Sequence, residues 1–230
     1  MVVVWYMRKK REFLRQRFFQ QINRVRMENL RSRISPHFTF NVLGREINQF
    51  NGSEEVKHNL MELVKYLRRS LELTEKLSVS LQDELDFVRT YIELERGRVG
   101  EDFVATVTVE DGLDATRIMI PSMIVQIPVE NAIKHGLAGK DGKKELSVYV
   151  SRETNGIRIT VTDNGRGYLP QVVSATRGTG TGLKVLYQTI QLLNTKNKSD
   201  KIRFDITNRS DGQTGTEVSV YIPFRFSYDL

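Results

Sequence analysis

The sequence predicts an α+β chain in two parts: a helical first half, then a second half whose strands and helices form an α/β sandwich. Three observations predict it. No glycine or proline interrupts residues 8–34, and apolar residues recur there every three to four positions. Past Gly100 the pattern becomes strand-like, as in FVATVTVE at 103–110, with the period of two that half-buries a strand. Among the later strands lie apolar runs bounded by glycine, which read as helices.

The 230 residues are 39% apolar, enough for a packed core, which excludes global disorder. The chain has no cysteine. That excludes a disulfide scaffold and fits a reducing compartment. The net charge of +7 is concentrated: residues 8–33 hold ten Lys/Arg against Glu12 and Glu28. A basic head of this kind points to nucleic acid or to the cytoplasmic face of a membrane. Before it comes MVVVWYM, followed at once by RKKR. Seven apolar or aromatic residues are far short of the roughly 20 that span a bilayer. An aromatic pair before a basic cluster is nonetheless how a membrane helix leaves on the cytoplasmic side. Residues 1–7 are therefore expected to be the end of a transmembrane helix, with Trp5 and Tyr6 as interfacial anchors. No signal-peptide pattern is present.

The elements follow in order. Leu14, Phe18, Ile22 and Val25 mark residues 8–34 as a coiled-coil helix, with Phe19 and Asn29 breaking strict heptads. Pro36 marks a kink or restart, and His37 comes directly after it. NQFNGSEE (48–55) is a turn cluster. A second helix then carries Val56, Leu60, Leu63, Val64, Leu67 and Leu71 on one stripe. Two helices joined by a short loop make a hairpin, and two hairpins pairing as a four-helix dimer would cover the stripes. Residues 35–99 are assigned to this bundle. His58 reads as a surface residue of it. Ser80 is an N-cap with Asp83 and Glu84 in the first turn, for a helix reaching about Arg98. Residues 100–230 form the sandwich: strands at 103–110, 145–151, 156–163, 201–208 and 216–223, a helix at 122–136, and another through Leu193. Asn155-Gly156 signals a hairpin turn.

Three clusters in the second half carry chemistry. In ENAIKHG, Asn131 lies three and four residues from Lys134 and His135, on one helical face. An amide oxygen suits magnesium and an ammonium suits phosphate. A solvated polar face is the alternative for that cluster alone. In DNGRG, Asp163 ends a strand, and its carboxylate can accept from an exocyclic amine; a plain turn is the alternative. In RGTGTGLKVL, alternating glycines open a helix whose backbone N–H groups can cradle phosphate. That run has neither the Walker lysine nor a Rossmann setting.

The order and spacing of these clusters, closed by GTEVSVYIP, resemble the GHKL ATP-binding fold shared by sensor histidine kinases, gyrase-type ATPases, Hsp90 and MutL. ISPHFTFN is similar to the NPHFLFN signature of LytS/YehU-type sensor histidine kinases. SLQDELDFVRTYIELERGR resembles that family's linker helix, and IPSMIVQIPVENAIKHG its asparagine box. The resemblance runs from about Leu30 to Pro223. It implies a dimeric four-helix bundle followed by a GHKL-type sandwich, with ATP and Mg2+ as cofactors. His37 would be the phosphoacceptor, oriented by Asn41. Asn131 would hold magnesium, with Glu130 beside it for a water or metal. Lys134 and His135 would lie near the phosphates. Asp163 would read adenine, framed by Gly165 and Gly167. Gly178, Gly180, Gly182 and Leu183 would form the second glycine box. The implied partners are a second copy of the chain and a response regulator, as in regulators with a LytTR-type DNA-binding domain. The implied location is the cytoplasmic side of an inner-membrane sensor.

The pattern is not followed everywhere. Ser35 and Gly44 depart from the usual residues, and Val185-Leu186 replaces Asn-Val. Phe38 stands where other kinase classes have an acidic base beside the histidine. Ile127 occupies the place of the gyrase-type hydrolytic glutamate. A nucleotide-binding module without kinase activity is thus a second reading. A nucleic-acid binder rests on the basic head alone, without interleaved aromatics or a recognised motif, so no nucleic-acid partner is expected.

Overall fold

The computed structural model describes residues 54–168, 181–197 and 199–228. The expected coiled-coil helix, His37, Asn41, Gly178 and Gly180 lie outside the described residues.

Helix α1 spans Glu54–Glu75. Leu63, Tyr66, Ser70, Leu73 and Thr74 are buried along one side, at the three-to-four spacing of an amphipathic helix. Val64 is 63% exposed, on the stripe that the sequence assigns to a bundle partner. Lys76 and Leu77 lead directly into β1 (Ser78–Ser80), which pairs antiparallel with β3 (Met119–Pro121). This short ladder is invisible to periodicity, because three residues are too few to set a pattern.

Helix α2 covers Leu81–Val99. Ser80 caps it as expected: its backbone is extended, and its hydroxyl accepts from the Asp83 N–H at 3.0 Å. Gly100 ends it at φ +112°, its N–H donating to the Arg96 carbonyl at 3.1 Å, a backbone region open to glycine.

Five strands form one sheet in the order β2-β4-β5-β7-β6. They are β2 (Phe103–Val109), β4 (Lys144–Glu153), β5 (Gly156–Asp163), β6 (Arg203–Asn208) and β7 (Thr216–Pro223). Only β2 and β4 run parallel. A parallel pair needs a long crossover, and the residues between β2 and β4 build the site described below. β4 and β5 form the hairpin signalled by Asn155-Gly156, with Glu153 opposite Gly156.

Alternation puts Leu146, Val148 and Val150, then Ile157, Ile159 and Val161, then Val218, Val220 and Ile222 on the buried face. Helix α4 (Thr181–Lys196) adds Leu186, Ile190 and Leu193 to the same cluster, and α2 adds Leu85, Val88 and Ile92. Each such burial contributes roughly 1.5–3 kcal/mol. The core is continuous across residue 100: Val88 and Ile92 share it with Phe103 and Leu146.

The helix expected over 122–136 is three things instead. Residues 122–125 are a turn, with Met123 at φ +68°. Helix α3 covers only Gln126–Asn131. Ala132–Gly136 then form a π-helical turn. Pro121 closes β3, and the turn after it is shaped by a side chain from α2.

Candidate nucleotide-binding site

That side chain is Glu84, which is fully buried. Its carboxylate accepts N–H bonds from Met123 at 2.9 Å, Val125 at 3.1 Å and Gln126 at 3.2 Å. The first N–H groups of a helix have no partner within it, and the N-terminal dipole favours an anion. No side chain of α3's own N-cap, Val125, fills that role. Glu84 therefore caps a helix 40 or so residues away (the separation is 39 to 42) rather than its own. Its neighbour Asp83 stays local, bonded to Ser80 and paired with Arg69. The sequence offers both acids to the same first turn and does not distinguish them.

Asn131 ends α3. Its Nδ2 donates to the Ile127 carbonyl at 2.8 Å. No hydrogen bond to its Oδ1 occurs among the described residues. A single hard oxygen donor fits magnesium, which keeps waters and phosphate oxygens as its other ligands. Glu130 points elsewhere. Its Oε1 accepts from Gln126 Nε2 at 3.1 Å and its Oε2 from Lys134 Nζ at 3.0 Å. Lys134 Nζ also lies 5.9 Å from the centroid of the Tyr91 ring. Burial, then the Glu130 and Glu95 carboxylates, push the Tyr91 phenol well above its ordinary pKa, so it stays neutral.

In the π turn the Leu137 N–H reaches back five residues to the Ala132 carbonyl at 2.8 Å. Such widened turns occur mostly as single turns within α-helices, frequently at functional sites. This one brings Gly136 against β5: its carbonyl accepts from the Arg166 N–H at 3.2 Å. A Cβ on Gly136 would stand 2.8 Å from Asp163 Oδ1, and one on Gly165 would stand 2.1 Å from the Gly136 carbonyl oxygen. Glycine is required at both places by contact.

Asp163 follows Ile157, Ile159 and Val161 in β5 by the period of two, so its carboxylate enters the core face and is 4% exposed. Oδ1 accepts from the Gly165 N–H at 2.8 Å. Burial raises its pKa above the ordinary carboxylate range, and hydrogen bonds from the Gly165 N–H and from the Thr216 N–H and hydroxyl partly oppose the rise. The result is a fixed, nearly buried acceptor with Gly136 and Gly165 packed against it. Gly215, at φ +141°, leaves no room for a Cβ: one would sit 1.9 Å from the Asp163 carbonyl oxygen.

His135 is half-buried. Burial, then Lys134 and Arg166, lower its pKa below the usual histidine value, which leaves the imidazole neutral near pH 7. Gly167 takes φ +84° beside Asn208, whose Oδ1 accepts from the Tyr168 N–H at 2.6 Å. Gly182 and Leu183 lie in the first turn of α4, which packs on α3. Val185 and Leu186, the departures from the family pattern, are buried and fill the core behind that turn.

The structure thus brings His135 and Gly136 of the π turn against Asp163, Gly165 and Arg166 at one strand end. Asn131 and Lys134 precede them on the same helix and make their contacts with Ile127, Glu130 and Tyr91. Sequence reasoning missed Glu84's distant role, Gln126, Asn208 and Thr216. The GTEVSVYIP stretch contains Thr216, but it reads there only as a closing strand. Among the described residues no helix is long and apolar enough to cross a membrane, and no acidic or histidine cluster forms a metal cage.

Both parts of the chain are similar to known proteins. Residues 25–103 match the family described as histidine kinase. Residues 116–225 match the histidine kinase-, DNA gyrase B- and HSP90-like ATPases, which assigns nucleotide binding to the sandwich. Sensor histidine kinase YpdA of Escherichia coli is 28% identical over 89% of this chain and 35% of its own length. Sensor histidine kinase/phosphatase LytS of Staphylococcus aureus is 30% identical over 86% of this chain and 34% of its own. The chain therefore spans about a third of the length of these curated relatives. Among solved structures, the histidine kinase domain of the Erythrobacter litoralis EL346 blue-light activated kinase aligns with TM-score 0.48 and 16% identity, covering 90% of this chain and 94% of that one. With a histidine-kinase segment followed in order by its ATPase segment, and relatives of that kind aligned over most of its length, the chain belongs to the histidine kinases.

Proposed function

We propose that the chain is the cytoplasmic, catalytic part of a membrane-anchored sensor kinase of a two-component system. It would transfer the γ-phosphoryl group of ATP to His37 and then to an aspartate of a response regulator. The observation that carries this reading is the setting of Asp163. A nearly buried carboxylate, walled by glycines whose Cβ positions are already occupied, suits the exocyclic amine and flat face of adenine. The histidine-kinase match over residues 25–103, which includes His37, supports that residue as the acceptor.

In this reading the adenine lies at Asp163, Gly165 and Gly167, and the phosphates point toward Asn131 and the first turn of α4. Gly178, Gly180, Gly182 and Leu183 would close over them. The Asn131 amide oxygen is the residue fit to hold magnesium, which when bound would neutralise phosphate charge. Lys134 and neutral His135 would contact phosphate oxygens, and Glu130 would order that end through Lys134. The neutral imidazole of His37 attacks phosphorus in line, the bond to the ADP oxygen breaks, and ADP leaves. Asn41, one helical turn on, would orient the ring. The proton left on the ring passes to solvent water, since Phe38 cannot accept it. A homodimer is expected from the apolar stripe that leaves Val64 exposed. A regulator carrying a LytTR-type domain fits the resemblance, and the aromatic and basic N-terminus supports the membrane attachment.

The test is incubation with γ-labelled ATP and magnesium. The protein should acquire an acid-labile, alkali-stable label that His37→Gln abolishes. A label that survives that substitution overturns the acceptor assignment. The second reading, a nucleotide-binding module without autokinase activity, is favoured by Phe38 beside His37. Nucleotide binding without any phosphohistidine, even with a regulator present, would establish it.

A further inference from the structure

A line of polar contacts joins helix α1 to the phosphate end of the site. Gln126 is fully buried in the first turn of α3. Its Nε2 donates to the Tyr66 hydroxyl at 3.3 Å and to Glu130 Oε1 at 3.1 Å. Glu130 Oε2 then holds Lys134 Nζ at 3.0 Å. Tyr66 is itself fixed. Its ring stacks on Phe87 with centroids 4.8 Å apart and planes 1° from parallel, and on Tyr91 at 5.8 Å and 30°.

The amide carries a cost. Gln126 Oε1 is buried and has no hydrogen-bond partner among the described residues. A buried acceptor left unpaired is destabilising, and an apolar side chain of similar shape would avoid the penalty. Stability therefore does not explain the amide. Geometry does: one NH2 group serves two elements, the hairpin helix on one side and the carboxylate next to Asn131 on the other. Tyr66 lies within the histidine-kinase match and Gln126 within the ATPase match, so the bond crosses between the two segments.

We propose that Gln126 is a positioning residue, and that with Tyr66 it forms a clasp through which helix α1 sets nucleotide affinity at the Asn131–Lys134 end. The proposal rests on the nucleotide-site reading above and adds to it a line of control. When α1 moves, the Tyr66 hydroxyl moves, and the amide either follows it or, released, is no longer held with its NH2 toward Glu130. Either way Glu130 Oε1 loses its fixed donor. The carboxylate then relies on Lys134 alone and draws the ammonium toward Tyr91, away from the phosphates. By linkage the coupling is reciprocal: bound nucleotide biases the position of α1 by the same factor.

The test is a double-mutant cycle on the full chain. Tyr66→Phe keeps the ring stack and removes only the hydroxyl. Gln126→Met keeps the bulk and removes both donors. Affinity for a non-hydrolysable ATP analogue with magnesium is measured by titration, with thermal unfolding alongside. Tyr66→Phe is expected to weaken binding about three- to tenfold, Gln126→Met by at least as much, and the double variant no more than Gln126→Met alone, the signature of one shared interaction. A purely structural role would lower the melting temperature of Tyr66→Phe and leave affinity unchanged. That result overturns the clasp, as do effects that multiply in the double variant. If Gln126→Met fails to fold, Tyr66→Phe alone decides, since wild-type affinity in it refutes the proposal. Failure of the kinase reading looks different: nucleotide binds, no phosphohistidine forms, and the cycle is still readable.

Discussion

Glu84→Gln changes one atom in a fully buried side chain, yet it should be among the most damaging conservative substitutions in the chain. The carboxylate serves three N–H donors through two oxygens: Met123 on Oε2, Val125 and Gln126 on Oε1. An amide has one acceptor. If its oxygen keeps Val125 and Gln126, its NH2 faces the Met123 N–H, donor against donor. A hydrogen bond to a charged group contributes about 1.5–3 kcal/mol, and the orphaned N–H adds its own desolvation cost of about 1–3 kcal/mol. A loss of about 3–5 kcal/mol follows, the range seen when a buried charged network is broken. At about 2–4 °C per kcal/mol for a chain of this size, the melting temperature should fall by roughly 6–20 °C. Glu84→Ala should fall at least as far. Calorimetry or thermal unfolding by circular dichroism reads it directly. Nucleotide affinity should drop as well, because the turn at Met123, held at φ +68°, fixes where α3 begins and so where Asn131 ends it. A Glu84→Gln protein within about 0.5 kcal/mol of wild type, the scatter of ordinary surface changes, would refute the capping argument.

Asp163→Asn should abolish measurable nucleotide binding while the fold survives. The stability difference between wild type and this variant should also depend on pH. Burial raises the folded-state pKa, so the folded protein holds that proton more tightly than the unfolded chain. The favourable contribution is present below the unfolded carboxyl pKa and is lost as pH rises through the higher folded value. The variant's melting temperature relative to wild type should therefore improve as pH rises above the ordinary carboxyl value of about 3.9; a difference that stays constant as pH rises would contradict the burial argument. Gly165→Ala places a Cβ 2.1 Å from the Gly136 carbonyl oxygen, and β5 or the π turn must move. Nucleotide affinity should fall at least tenfold, about 1.4 kcal/mol, and wild-type affinity in that variant would show that the contact relaxes without reaching the site.

Much of this architecture is legible in residue order. The five strands of the sandwich follow from alternation, the β4–β5 turn from Asn155-Gly156, and the start of α2 from Ser80. Asp163 is legible as a candidate site residue because it prolongs the same alternation into a polar turn. The helix over 122–136 is harder to read. Its apolar residues fit a single helix, and nothing local says that a carboxylate from α2 will start it at Gln126 or that the last turn will widen to five-residue bonds. The roles of Glu84 and Gln126 depend on partners 39 to 60 residues away, and pattern arguments see only neighbours. Gly136 and Gly165 look like ordinary turn glycines until Asp163 and the Gly136 carbonyl are seen in the space that their side chains would need.

The β1–β3 ladder has a mechanical consequence. Only Lys76 and Leu77 separate α1 from β1, the Leu77 carbonyl accepts from the Ser122 N–H at 3.2 Å, and the Ser122 hydroxyl donates to the carbonyl of Leu73. Ser78–Ser80 is then fastened residue by residue to Met119–Pro121. A pull or twist along α1 loads this ladder in shear and reaches Pro121 with almost no slack, two residues short of Met123. The joint behaves as a bracket, not a tether. Torque applied to α1 arrives at the turn that starts α3 before any freely jointed loop can absorb it.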